Sequence, residues 1–122
     1  MAEKSVIDML LELPQEAPQT KKIKVKRLSR KNAPVVLELT AISYERVLTI
    51  RGQQDDLGVE ILLEGVTAPE LRNRKLMEKY KATTPEELIK KLFLPGEIED
   101  IAREVEKLSG YRVTNIEDFK KN

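Results

Sequence analysis

The spacing of apolar residues changes near residue 41, and this change constrains the fold more than any other feature of the sequence. Before it, Ile23 and Val25, and then Leu37 and Leu39, stand at every second position on either side of a turn. After it, apolar residues recur every three or four positions. The first period is that of a half-buried strand and the second that of a helix. The sequence therefore predicts a mostly helical α+β fold, with five or six helices and a small antiparallel β-hairpin or sheet near the N-terminus.

Capping residues mark where the predicted helices begin and end. Ser5 and Asp8 have the spacing of a capping box, and Thr84 precedes a proline and two glutamates, which is typical of a helix start. Gly65 is predicted as a left-handed helix stop, and Gly110 ends the last helix. The predicted helices cover residues 5–13, 43–52, 55–64, 73–80, 84–93 and 98–109, and the predicted hairpin pairs residues 22–28 with 35–41.

The helical spacing also predicts which side chains face the core. The second helix is expected to turn Tyr44, Val47 and Leu48 inward, and the third Leu57, Ile61 and Leu62. Central positions on the apolar faces give the predicted core: Leu62, Leu88, Leu92, Ile101 and Val105.

The first twenty residues are predicted to stand apart from the rest of the chain. A short helix carries Val6, Leu10 and Leu13 on one stripe, and a linker with two prolines and no large apolar residue follows it. So short a helix is not stable alone in water, so it must dock on its own domain, on a partner or on a second copy. We expect residues 1–20 to form this helix and linker, 21–110 a single α+β domain and 111–122 a tail.

The basic residues are concentrated in the predicted hairpin. Residues 21–31 contain seven Lys or Arg and no acid, whereas the whole chain has 22 basic and 21 acidic residues and a net charge of +1. The block is either a solvated strand face that guards a sheet edge or a surface for an acidic partner, with Lys24, Lys26 and Arg30 as its candidate contacts. Nucleic acid is less favoured, because overall charge is balanced and no aromatic residue stands between the basic ones.

The composition leaves little room for catalysis or cofactors. Without Cys or His, the chain has no thiolate or imidazole nucleophile and none of the usual ligands of zinc, copper or haem. Adjacent carboxylates such as Asp55 and Asp56 are read as helix-terminus charges, and the five scattered glycines make no phosphate loop. We expect no catalytic residue, no cofactor and no metal. No apolar run reaches the length of a membrane span and no signal pattern begins the chain, which predicts a cytoplasmic protein without a membrane partner.

An ordered series of short motifs resembles the XkdN-like tail assembly chaperones of phages and prophages with contractile tails. The series starts with the Leu-rich first helix, the proline linker and the strand pair ending in Leu39-Thr40-Ala41. It continues with Ser43-Tyr44-Glu45-Arg46, Ile61-Leu62-Leu63-Glu64-Gly65-Val66, Leu76-Met77-Glu78-Lys79-Tyr80, Ala82-Thr83-Thr84-Pro85-Glu86-Glu87-Leu88, Leu92-Phe93-Leu94-Pro95-Gly96-Glu97-Ile98 and Lys107-Leu108-Ser109-Gly110-Tyr111.

The resemblance implies a non-enzymatic chaperone that binds the tape measure protein, keeps it soluble and helps to recruit tail tube subunits. It also implies action in the host cytoplasm during assembly and absence from the mature virion. The family has no residue motif for binding, so the candidate contacts are physical: Val6, Leu10, Leu13, Lys24, Lys26 and Arg30. We expect a homo-oligomer. The alternative is a small nucleic-acid-associated regulator that uses the basic hairpin 21–31.

Overall fold

A computed structural model of the protein describes residues 5–53, 55–111 and 114–119. Within these residues it contains six α-helices and a three-stranded antiparallel sheet, which confirms the predicted α+β class. The elements in chain order are α1 (Val6–Glu12), β1 (Thr20–Lys24), a 3-10 turn (Lys26–Leu28), β2 (Val36–Thr40), α2 (Tyr44–Arg51), α3 (Leu57–Gly65), β3 (Val66–Ala68), α4 (Arg74–Lys79), α5 (Pro85–Leu92) and α6 (Pro95–Leu108). Of the predicted ends, residues 1–4, 112–113 and 120–122 lie outside the described residues.

The sheet has the strand order β1-β2-β3. Strands β1 and β2 pair from Thr20 opposite Thr40 to Lys24 opposite Val36, so the predicted hairpin is confirmed. Strand β3 pairs with the other edge of β2, with a register shift in the ladder. Strand β1 is therefore an edge strand, and the alternation of its residues turns Ile23 toward the core and its neighbouring lysines outward.

The prediction that the first strand continues to residue 28 was wrong. The chain enters the 3-10 turn at residues 26–28, and Ser29 holds this turn in place. Its hydroxyl donates to the carbonyl of Val25 at 2.8 Å and accepts the backbone N–H of Val35 at 2.8 Å. The serine side chain thus takes the place of a ladder partner, which period-two spacing alone does not reveal.

Local capping was predicted well. The side chains of Ser5, Ser43 and Thr84 each accept a backbone N–H from the first turn of α1, α2 and α5. Asn73 caps α4 in the same way. Each such bond satisfies an N–H that the helix itself leaves without a partner, and this fixes the helix start.

The core lies between the inner face of the sheet and helices α3, α5 and α6. Four of the five predicted core residues are buried, namely Leu62, Leu88, Ile101 and Val105. The fifth, Leu92, is only half-buried, because it lies at the end of α5 where the chain turns away, and Phe93 is buried in its place. The other buried Leu and Ile side chains of the described residues are Leu37, Leu39, Ile50, Leu63, Leu71 and Ile89.

Two predicted helix faces were partly wrong. In α2, Val47 and Ile50 are buried, whereas Tyr44 and Leu48 are exposed. In α3, Leu62 is buried as predicted, but Val59 and Leu63 are its buried companions, Ile61 is half-buried and Leu57 is exposed. Both helices are short and rich in apolar residues, so more than one face fits helical spacing, and the choice depends on the neighbouring elements.

Gly65 has a different role from the one predicted. It is the last residue of α3 and is buried, and among the described glycines only Gly110 has a positive φ, at 93°. A Cβ atom at Gly65 would lie 2.5 Å from both Cγ atoms of Val105. The residue is a glycine because α6 passes directly over it, and the prediction of a left-handed stop at Gly65 was wrong.

Candidate partner-binding site

The structure contains an apolar cleft between the hairpin and helices α4 and α5. Its volume is about 310 Å³. Leu37, Leu71 and Phe93 are buried at its base. Together with these, the lining consists of Leu28, Arg30, Val35, Pro69, Leu76, Tyr80 and Leu92. We call this surface the apolar cleft.

Five separate parts of the chain build the cleft, one of which is the end of α5 with Leu92 and Phe93. The 3-10 turn contributes Leu28 and the start of β2 contributes Leu37, while the segment after β3 contributes Leu71. Helix α4 presents Leu76 and Tyr80 one turn apart on the same face. Most of the lining is apolar and one rim carries the guanidinium of Arg30, a combination typical of grooves that hold an apolar helix or side chain.

The N-terminal segment lies outside this core. We call residues 5–19, which comprise α1 and the linker, the N-terminal arm; every residue of the arm is exposed. The predicted stripe residues Val6, Leu10 and Leu13 are 65%, 57% and 63% exposed. The capping box at Ser5 and Asp8 is present, and α1 buries none of its side chains.

The predicted cationic contacts are divided between two places. Arg30 lies on the rim of the apolar cleft. Lys24 and Lys26 line a second groove of about 420 Å³ that runs between the edge of β1 and α6, which we call the edge groove. The structure thus brings the three basic residues to neighbouring surfaces but not to a single cavity, and the stripe of α1 lines neither.

Two ion pairs join the basic hairpin to the acidic last helix across the edge groove. Arg27 forms a two-pronged contact with Glu97 at 2.9 and 2.8 Å and also donates to the carbonyl of Leu92 at 2.8 Å. Lys21 pairs with Glu104. Arg27 thereby lowers the pKa of Glu97, and Lys21 lowers the pKa of Glu104. Part of the basic block is therefore neutralised within the protein itself.

The remaining basic residues of the block keep their charge available. Lys22, Lys24, Lys26, Arg30 and Lys31 are exposed and form no ion pair within the described residues. Lys22 and Lys24 project from the open edge strand, which is where lysines discourage pairing between sheets.

Sequence reasoning missed the cleft as a unit, although it predicted several of its members. Leu92 was expected in the core, Leu37 was placed in the alternating second strand, and Arg30 was a candidate contact. The signal that could have revealed the cleft is the excess of apolar positions near the ends of elements, at Leu28 and Leu92. Nothing in the local pattern shows that these ends meet.

Within the described ranges, no group of three or more Asp, Glu, His or Cys side chains could hold a metal ion. Over the same residues, every helix is too short or too polar to cross a bilayer.

The fold is that of a small α+β domain, and comparison with known proteins identifies its family. The profile of the phage XkdN-like tail assembly chaperone proteins (TAC) matches residues 53–120, which is more than half of the chain. This protein therefore belongs to the XkdN-like family of phage tail assembly chaperones, as the motif series predicted.

A solved structure has a similar fold. The crystal structure of the protein yqbn superposes with a TM-score of 0.61 at 19% sequence identity, and the match covers 91% of this chain and 98% of that one. No curated protein is similar enough to count as a relative.

Proposed function

We propose that this protein binds the tape measure protein of its phage, keeps it soluble and helps to recruit tail tube subunits, without any catalytic step. Membership of the tail assembly chaperone family supports this proposal. We further propose that it acts in the host cytoplasm during tail assembly and is absent from the mature virion.

The observation that carries the proposal is the open apolar cleft. Its base is formed by three large buried side chains, and its walls hold half-buried ones such as Leu76 and Tyr80. Such a groove can take apolar residues that recur every three or four positions on an amphipathic helix. A long chain of such helices aggregates when its apolar stripes meet, so covering a stripe keeps the client soluble.

The basic rim adds charge recognition to this apolar contact. Arg30 on the cleft, with Lys24 and Lys26 beyond it, would pair with acidic residues on the polar side of a client helix. Exposed charges of this kind raise the rate of encounter more than they slow release. The apolar lining is then expected to set the lifetime of the complex.

Co-expression with the tape measure protein tests this proposal. We expect the unmodified chain to move the tape measure protein into the soluble fraction, with several copies per client because one small domain covers little of a long chain. Leu76→Asp places a carboxylate in the cleft wall and should abolish this effect. Leu48→Asp on α2 is the matched control, since Leu48 is half exposed and lies away from the cleft.

Both variants should first be shown to unfold at temperatures near that of the unmodified chain, so that a loss of binding is separated from a loss of folding. The proposal fails if the tape measure protein remains insoluble with the unmodified chain in excess. The assignment of the apolar cleft as the client-binding site is refuted if Leu76→Asp and Leu48→Asp solubilise the client equally.

Charge has its own test. Replacing Lys24, Lys26 and Arg30 together by Glu should slow complex formation and change its salt dependence, while an already formed complex should dissociate at nearly the same rate. Equal association rates for the triple variant and the unmodified chain would show that the basic residues have no part in capture.

The alternative of a nucleic-acid-associated regulator is favoured only by the five exposed basic residues of 21–31 that form no ion pair within the described part of the chain. It predicts binding to random duplex that weakens steeply as salt rises. Negligible duplex binding at physiological salt would refute it.

A further inference from the structure

We propose that, when no client is present, α1 of one copy of this protein docks in the apolar cleft of a second copy. Both surfaces are apolar and open in the described chain. Helix α1 exposes large side chains on most of its circumference, and the cleft leaves its apolar walls open. This inference does not depend on the identity of the client.

The shape of α1 suits a groove. At 100° per residue, Val6, Leu10 and Leu13 fall on one stripe, Met9 lies beside it, and Asp8 falls on the opposite side. A helix that inserts this stripe keeps its carboxylates out of the apolar base. Helix α1 is also too short to be stable by itself, so a surface that receives it would stabilise its helical form.

Charge favours the same pairing. The N-terminal arm contains three carboxylates, Asp8, Glu12 and Glu16, and no basic residue. The cleft opens beside the basic block of residues 21–31, and Arg30 lies on its rim. An acidic arm on a basic rim is attracted during approach and is not repelled once docked.

The length of the linker points to a second copy instead of the same one. Thr20 begins β1 at the end of the strand remote from the cleft, and the strand path to Val25 is about 16 Å long. The seven steps from Leu13 to Thr20, with two prolines among them, reach about 22 Å. Docking in the same copy would use about three quarters of that reach before the arm crossed to α4. In the single chain, accordingly, the arm is exposed along its whole length.

Crosslinking tests the contact directly, because the chain has no native cysteine. Leu10→Cys and Leu76→Cys are made in two chains with tags of different size, mixed without client and treated with a short bis-maleimide. We expect a product that carries both tags. Asp100→Cys is the control in place of Leu76→Cys, since Asp100 lines the edge groove and not the cleft.

The result that would overturn the proposal is a mixed product with Asp100→Cys as abundant as that with Leu76→Cys. A chain carrying both Leu10→Cys and Leu76→Cys that crosslinks within itself in preference to another copy would also overturn it, because the arm would then occupy its own cleft.

Sedimentation of the full-length chain gives an independent measurement. Leu10→Asp should weaken self-association by about tenfold or more, since it removes a central apolar contact. Ile116→Asp is the matched control, because Ile116 is also strongly exposed but lies outside the arm, and it should leave self-association unchanged. A Leu10→Asp chain that associates as strongly as the control refutes the proposal, whatever the outcome of the client experiments.

Discussion

The contact between Gly65 and Val105 gives the sharpest test of the packing between α3 and α6. In Gly65→Ala the new methyl group would lie 2.5 Å from both Cγ atoms of Val105. Two carbon atoms in favourable contact are about 3.5 to 4.0 Å apart, so the helices must separate locally by about 1 Å. Val105 is completely buried, and its Cβ would also lie 3.0 Å from the new methyl group.

The expected loss of stability follows from this overlap. Overpacking a well-packed core costs about 1 to 3 kcal/mol. The gain in helix propensity from Gly to Ala, which reaches about 1 kcal/mol inside a helix, offsets part of this cost. We expect a net loss of about 1 to 2 kcal/mol in the free energy of unfolding. For a domain of this size that lowers the midpoint of thermal unfolding by about 4 to 8 °C.

The same substitution earlier in the same helix is the control. A Cβ atom at Gly58 would meet only Cγ2 of Ile98 at 3.6 Å, an ordinary contact. Gly58→Ala should therefore be neutral or stabilising. Urea unfolding of both variants, and of Gly65→Ala combined with Val105→Ala, measures the coupling, because truncating Val105 removes the overlap. Equal stability of Gly65→Ala and Gly58→Ala would contradict the overlap with Val105, as would a cost of Gly65→Ala that is the same with Val105→Ala as without it.

Three further predictions concern single side chains. Leu88→Ala should lower the free energy of unfolding, measured by chemical denaturation, by about 2 to 5 kcal/mol, because Leu88 is fully buried. Leu92→Ala should lower it clearly less, because Leu92 is half-buried at the cleft. Equal losses would contradict this difference in burial. The backbone N–H of Thr83, with a lysine and the Thr83 hydroxyl, lowers the pKa of Glu87 from 4.5 to about 2. This carboxylate therefore contributes stability above about pH 4.5 that is lost as the pH falls through 2. Glu87→Gln should flatten the dependence of the free energy of unfolding on pH in this range. An unchanged pH dependence would refute the assignment. Arg27→Gln should lower the thermal midpoint at low ionic strength and have little effect at about 1 M salt, and a salt-independent loss would show that the residue acts through packing.

Features that depend on neighbours in sequence could be predicted from it. The caps at Ser5, Ser43 and Thr84 are hydrogen bonds to residues three positions away, so the pattern that predicts them also contains the partner. The alternation in the hairpin similarly predicts strands β1 and β2, because each strand has one inner face. The fold class followed from these two kinds of local signal.

Features that depend on distant residues could not be predicted. Strand β3 is three residues long, and its partner Glu38 stands about thirty positions away from Ala68, so no period marks it. The role of Gly65 depends on Val105 in another helix, and a glycine at a helix end looks like a stop in any sequence. The apolar cleft is assembled from five separate segments, so its members could be predicted singly but not as one surface.

The ion pairs between the hairpin and α6 also bear on how the chain folds as it is synthesised. Arg27 and Glu97 are 70 positions apart, and Lys21 and Glu104 are 83 positions apart. At about 5 to 20 residues per second, a ribosome needs roughly 4 to 14 s to make the chain between Arg27 and its partner. During that interval the sixth helix, which packs against β2, is not yet present to cover the inner face of the hairpin. The nascent chain therefore passes through a stage in which the apolar inner face of its hairpin is exposed to solvent and can aggregate. The contacts between β1 and α6 across the edge groove form among the last folding events.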